Sequence, residues 1–117
     1  MTKEELIKFH KAATDHMHET LKRKNADYTG ANANPFSNFT TVEELSICSS
    51  EQGFLTRMTD KFKRIVSFVQ LGVLQVKDES VTDTLIDLAN YCLLMAAYIQ
   101  HKREHADREK KGSVSNG

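Results

Sequence analysis

Apolar residues recur along this chain at the three-and-four spacing of α-helices. Leu6, Phe9, Ala13, Met17 and Leu21 form one stripe, and Thr2 followed by Glu5 reads as a capping box opening the helix that carries them. The stripe predicts a first helix to about Asn25. It stops at Asp27–Phe39, DYTGANANPFSNF, which is rich in Gly and Asn and holds the single Pro, so this stretch reads as a loop. A loop of that length in a small helical domain is often functional, and Tyr28, Phe36 and Phe39 give it aromatic surface with which to pack down. Thr41 with Glu44 reads as a second capping box, predicting a short helix to about Cys48. After Ser50 the residues Phe54, Leu55, Met58, Phe62, Ile65, Val66 and Val69 keep helical spacing to about Leu71, and Gly72 ends the run. Ser80 with Asp83 caps the last and longest predicted helix, which reaches roughly Ala106. From Asp107 the chain is charged and then Gly/Ser/Asn-rich, as in a fraying end. No internal repeat is visible. The pattern predicts an all-α fold: a bundle of three main helices plus one or two short ones, with residues 1–107 as a single helical domain and 108–117 as a flexible tail.

The last helix is apolar almost all round. Val81, Leu85, Leu88, Cys92, Met95 and Ile99 make one face, and Ile86, Leu93, Leu94 and Ala97 extend it around the other side. Such a helix is expected to be buried on most sides. Three helices offer too little cover, so the expectation is a homo-oligomer. The alternative is that the aromatic loop and the short helix supply the cover within one chain.

The 117 residues suffice for one domain with one core. Sixteen basic and sixteen acidic residues give zero formal charge, which argues against broad electrostatic binding to bulk nucleic acid or anionic membrane. No run is apolar and long enough to span a bilayer, and the charged start Met1–His10 lacks a signal core. The two cysteines, Cys48 and Cys92, have neither zinc nor redox spacing and favour a reducing cytoplasm. Cys92 reads as a small hydrophobe.

Against this background two charged stripes stand out. Arg57, Asp60, Lys61 and Arg64 share one side of the third predicted helix. Glu79, Asp83, Asp87 and Asn90 share one side of the last. Carboxylates on so apolar a helix are expected to need a cation, a metal or a proton. Asp83 and Asp87 are one turn apart and Glu79 one turn further back, so the three suit Mg²⁺, or Mn²⁺, completed by phosphate oxygens. Asp60 would add a ligand from across the groove. Arg57, Lys61 and Arg64 would hold the remaining phosphate oxygens, and Asn90 would orient a water or a sugar hydroxyl. The same residues also fit a plain ladder of ion pairs between neighbouring helices, and spacing alone does not separate the two.

The histidines carry less. His101 and His105 have metal-binding spacing but lie among charged residues near the chain end, which favours a solvated face. His16 and His18 cannot share a face, and His10 borders the first apolar stripe. No nucleophile pattern or Gly-rich phosphate loop is present.

Four segments together resemble a known family. Lys24–Tyr28 (KNADY), Pro35–Phe39 (PFSNF), Arg57–Arg64 (RMTDKFKR) and Asp78–Tyr91 (DESVTDTLIDLANY) are similar, in order and spacing, to the small nucleotide-modification-associated domain of bacteriophages and prophages. The resemblance spans about residues 20–100 and implies a nucleotide ligand, with Lys24, Tyr28 and Asn38 as further contacts. The layout is more distantly similar to the all-α nucleoside triphosphate pyrophosphohydrolases of the MazG and dimeric dUTPase type. By that likeness Glu79, Asp83 and Asp87 would be catalytic metal ligands, and the expected activity is Mg²⁺-dependent release of pyrophosphate. Those enzymes carry an acidic pair on the earlier helix, whereas this chain has Asp60 alone among cations. That departure suits a second expectation, an oligomeric phage protein that sequesters a nucleotide or cyclic-nucleotide immune signal without cleaving it.

Overall fold

A computed structural model of the chain describes residues 1–26, 34–73 and 80–115, with side chains to Lys110. Four helices occupy almost all of it: α1 Lys3–Ala26, α2 Ser37–Glu44, α3 Ser50–Leu71 and α4 Val81–Ser115. The all-α expectation holds, as three long helices and one short one. Tyr28 and Glu79 lie outside the described residues, as do most of the predicted loop and the connection before α4. Among the described residues no helix is long and apolar enough to cross a membrane.

Several helix ends follow their predicted chemistry. The Glu5 N–H donates to Thr2 Oγ1 at 3.1 Å, and the Asp83 N–H donates to Ser80 Oγ at 3.0 Å. Helix α3 opens on a full capping box between Ser49 and Gln52. It closes on Gly72, whose left-handed backbone (φ 77°) suits a residue without a Cβ. The predicted box at Thr41 and Glu44 is not used. Helix α2 begins four residues earlier, at Ser37, and Thr41 lies inside it with its hydroxyl donating to the Ser37 carbonyl at 2.6 Å. The start is set upstream instead. Asn34 Oδ1 accepts from the Phe36 N–H at 2.9 Å, and the Phe36 carbonyl accepts from the Phe39 and Thr40 N–H groups. An Asn turn with Pro behind it makes as good a helix start as Thr, and the aromatic pair it positions decides between them. Beyond α2 the chain turns through Ser46 in a left-handed conformation (φ 60°). Helix α4 continues well past Ala106, to Ser115. Its charged end is made of good helix formers, with His105 and Glu109 paired one turn apart at 3.1 Å.

The core is small and aromatic. Phe39 of α2 stacks on Phe54 of α3, with ring centroids 3.8 Å apart and planes 9° apart. Tyr98 of α4 lies 5.6 Å from Phe54. Phe36 and Tyr91 close the cluster edge-on, at 5.5 Å to Tyr98 and 6.0 Å to Phe39. Phe39, Phe54 and Tyr98 are buried. Two of the three loop aromatics, Phe36 and Phe39, thus do pack down and cover one side of α4. The stack requires α2 and α3 to come close, and Gly53 permits it. A Cβ there would lie 3.0 Å from Val42 Cγ2 and 3.3 Å from the Phe39 carbonyl oxygen. A glycine inside a helix costs about 1 kcal/mol against alanine, so the close approach explains its use here.

The opposite side of α4 is left uncovered within the single chain. Leu85 is 47% and Leu93 59% exposed, and Cys92 is exposed as well. Helix α1 lies along this side but buries none of its own residues. Leu6 and Phe9 remain about half exposed or more, while Ala13, Met17 and Leu21 are half-buried. The short α2 covers α4 only around Tyr91–Tyr98, and α1 sits too loosely to finish the task.

One ion pair fastens the start of α3 to α4: Lys102 Nζ donates to Glu51 Oε1 at 3.0 Å. That hydrogen bond holds the Glu51 carboxyl below the usual carboxylate range and raises the Lys102 ammonium.

Two outcomes are expected. Phe54→Ala should lower unfolding free energy by about 3–5 kcal/mol in urea titrations, because a fully buried stacked ring is lost. Glu51→Gln should cost under about 1 kcal/mol at neutral pH, as befits an exposed pair. A lowered carboxyl stabilises the fold above its ordinary value of 4.5 and loses that contribution as pH falls through the folded value. The gap between wild type and Glu51→Gln should therefore close on acidification.

Candidate functional site

All four helices contribute to an open hollow beside the aromatic core. Helix α1 brings Lys24 and Asn25 from its last turn, with Thr20 and Leu21 one turn earlier. The start of α2 brings Asn38, with Pro35 just before it. Helix α3 brings Arg57, and α4 brings Asp87 and Asn90. The hollow has a volume of about 190 Å³, and Phe39, Tyr91 and Leu94 form its apolar side. A second hollow of about 240 Å³ shares Thr20, Lys24, Asp87 and Asn90 and adds Asp83 and His16. The geometry follows from helical periodicity. Asp83, Asp87, Asn90 and Leu94 recur on one side of α4, the side next to the core-facing Thr84, Tyr91 and Tyr98.

Arg57 is held in two ways. Its guanidinium lies 5.3 Å over the Phe39 ring, and Nη2 donates to the Asn38 carbonyl at 3.4 Å. The cation is therefore fixed by the same aromatic residue that anchors α2. Lys61 reaches Asp87 across the α3–α4 seam at 3.1 Å, with the lysine side chain 15% and the carboxylate 52% exposed. One rung of the predicted interhelical ladder is thus present. The other rungs are not drawn between these stripes among the described residues. Arg64 pairs with Asp60 of its own helix at 3.3 Å, and neither lines the two hollows.

The predicted residues therefore divide. Lys24, Asn38, Arg57, Asp87 and Asn90 come together in one hollow, and Asp83 joins four of its lining residues in the next. Lys61 stands behind Asp87. Arg64 and Asp60 are turned to each other. The carboxylates also meet more water than expected, since Asp83 is exposed and Asp87 half exposed. The reason is again the loose seat of α1, which leaves this side of α4 open. Thr20, Asn25 and His16 were not singled out from the sequence. Asn25 belongs to the KNADY segment, while Thr20 and His16 have no motif to mark them; their only signal is lying one and two turns before that segment on α1.

For a metal ion the fit is partial. Among the described residues no three His, Cys, Asp or Glu side chains converge. Asp83 and Asp87 form a pair one turn apart on the rim of the second hollow, which is the number of carboxylates Mg²⁺ commonly takes when phosphate oxygens complete its shell. His101 and His105 are exposed, as expected, with rings 6.4 Å apart.

Fold and hollow together define a small all-α protein with a mixed-charge, amide-lined pocket. A family model described as nucleotide modification associated domain 1 matches residues 24–100, and the chain belongs to this family. The match takes in α2, α3 and most of α4, and it includes Lys24, Asn38, Arg57, Asp83, Asp87 and Asn90. No curated protein and no solved structure matches the chain.

Asp87→Asn should remove the charge that Lys61 meets across the α3–α4 seam. The expected cost is about 1–2 kcal/mol, between the values for exposed and buried pairs, read from urea unfolding.

Proposed function

We propose that this protein binds a nucleotide in the hollow, with the phosphate seated between Lys24 and Arg57. The observation that carries the reading is convergence: seven polar side chains from four helices meet in one recess, and the matched family is described as nucleotide modification associated. Arg57 offers a planar fork suited to phosphate, already oriented by Phe39 and the Asn38 carbonyl. Lys24 adds a point charge from the opposite wall. Asn38 and Asn90 can each donate and accept, which suits a base edge or sugar hydroxyl. Tyr28, from the same KNADY segment, is a further candidate contact.

Capture without cleavage is the primary reading, because Lys61 already neutralises Asp87. This corresponds to a phage-type protein that sequesters a nucleotide or cyclic-nucleotide signal. One observation favours a second reading, Mg²⁺-dependent pyrophosphohydrolysis: Asp83 and Asp87 share their hollow with Lys24. On that reading Asp83 and Asp87, with Glu79, would hold Mg²⁺ (or Mn²⁺). The bound ion would neutralise phosphate charge and lower the pKa of a water.

Calorimetric titration with a panel of nucleoside mono-, di- and triphosphates and cyclic dinucleotides, with and without Mg²⁺, tests the proposal. Lys24→Ala and Arg57→Ala should each weaken the best ligand by about tenfold or more, the worth of one charge-assisted contact. A flat response across the panel overturns it. Chromatography of the recovered ligand separates the two readings: intact nucleotide means capture, and monophosphate with pyrophosphate means hydrolysis.

A further inference from the structure

The exposed side of α1 and α4 is more than scattered apolar surface. The two helices flank a trough of about 830 Å³, walled by Leu6, Phe9 and Met17 of α1 and by Leu85, Cys92 and Leu93 of α4. A large contiguous apolar patch left exposed on a soluble protein marks an interaction surface.

The size of the exposed surface says what kind of occupant it suits. The chain exposes 9134 Å², whereas a compact monomer of its mass exposes about 6,500 Å². Its radius of gyration is 18.2 Å, against about 13 Å for a compact domain of this length. The surplus of about 2,600 Å² is of the order that a permanent homodimer removes from each partner, roughly 1,000–2,500 Å². Part of the surplus belongs to the charged end of α4, and the trough adds apolar surface to it. A small or transient partner would leave most of this surface wet.

We propose that the trough is the seat of a second copy of this chain. The α1–α4 pair of one copy packs face to face on the α1–α4 pair of the other about a two-fold axis, completing a four-helix bundle. A two-fold arrangement sets the same apolar patch against itself and closes after two copies, leaving no free trough to propagate a filament. A second exposed apolar stripe, Leu55, Phe62 and Val69 on α3, is a single convex ridge. It lacks the second wall that lets helices interdigitate on both sides. The inference does not depend on what the polar hollow binds.

Cys92 supplies a direct probe. It is exposed in the single chain and would be covered in the pair. In a Cys48→Ser background, alkylation of Cys92 by iodoacetamide should be slow at micromolar protein and accelerate at least tenfold on dilution to nanomolar. Light scattering should give twice the chain mass at micromolar concentration. Leu93→Asp, at a position the single chain leaves 59% exposed, should give a folded monomer by circular dichroism. Phe62→Asp should remain a dimer. A wild-type monomer at micromolar concentration, Cys92 alkylation independent of dilution, or dissociation by Phe62→Asp but not Leu93→Asp would each overturn the proposal. If Leu93→Asp fails to fold, the alkylation series on the otherwise intact chain still decides.

Discussion

The stack of Phe39 on Phe54 fixes where α2 can lie, and most of what surrounds the hollow follows from that placement. Two rings in van der Waals contact demand that their backbones approach to a set distance, and Gly53 supplies the missing Cβ volume that lets them do so. With α2 seated, Asn38 faces the recess and the Asn38 carbonyl meets Arg57. The same Phe39 ring carries the guanidinium above it. Core formation and site formation are therefore one event at this corner of the molecule: the residue that buries most of α2's apolar surface also orients the cation.

Electrostatically the protein is balanced overall and uneven locally. Its cations and carboxylates are equal in number, yet the pairs that form are of different kinds. Lys102–Glu51 ties an end of α3 to α4 in largely solvated surroundings, where salt weakens it. Lys61–Asp87 has a mostly buried lysine and joins a lining residue of the recess to α3. Arg64–Asp60 stays within one helix. The recess thus holds Lys24 and Arg57 opposite a carboxylate whose charge is already shared, leaving a net positive surround that suits an anion.

The helices and most of their ends were readable because capping boxes, glycine stops and apolar periodicity are local signals. Thr2, Ser80 and Gly72 act where their chemistry says they should. The start of α2 was not readable from Thr41 and Glu44, since a competing start signal at Asn34 lies seven residues upstream and the long-range Phe39–Phe54 contact favours it. How far α4 is covered within one chain was not readable for a related reason. Apolar composition reports what a helix would gain from cover, while how much cover one chain supplies depends on how closely α1 approaches. Within the recess, Arg57, Asp87 and Asn90 were legible from helical spacing, and Lys24 and Asn38 from the family resemblance. The placement of Asp60 and Arg64 outside the lining of both hollows was not, because helical spacing puts a residue on a side of its helix without saying where along the groove a recess opens. Thr20 required the fold itself.

Helix α1 has no buried side chain of its own, and this has a kinetic meaning. A segment whose departure uncovers little apolar area detaches at a small fraction of the global unfolding free energy, and its backbone amides exchange with solvent through that local event. The aromatic knot of α2, α3 and α4 would persist while α1 swings out. Lys24 and Thr20 travel with it, so in the single chain one wall of the open recess is less persistent than the other three, and a guest held partly by that wall loses those contacts each time it lifts.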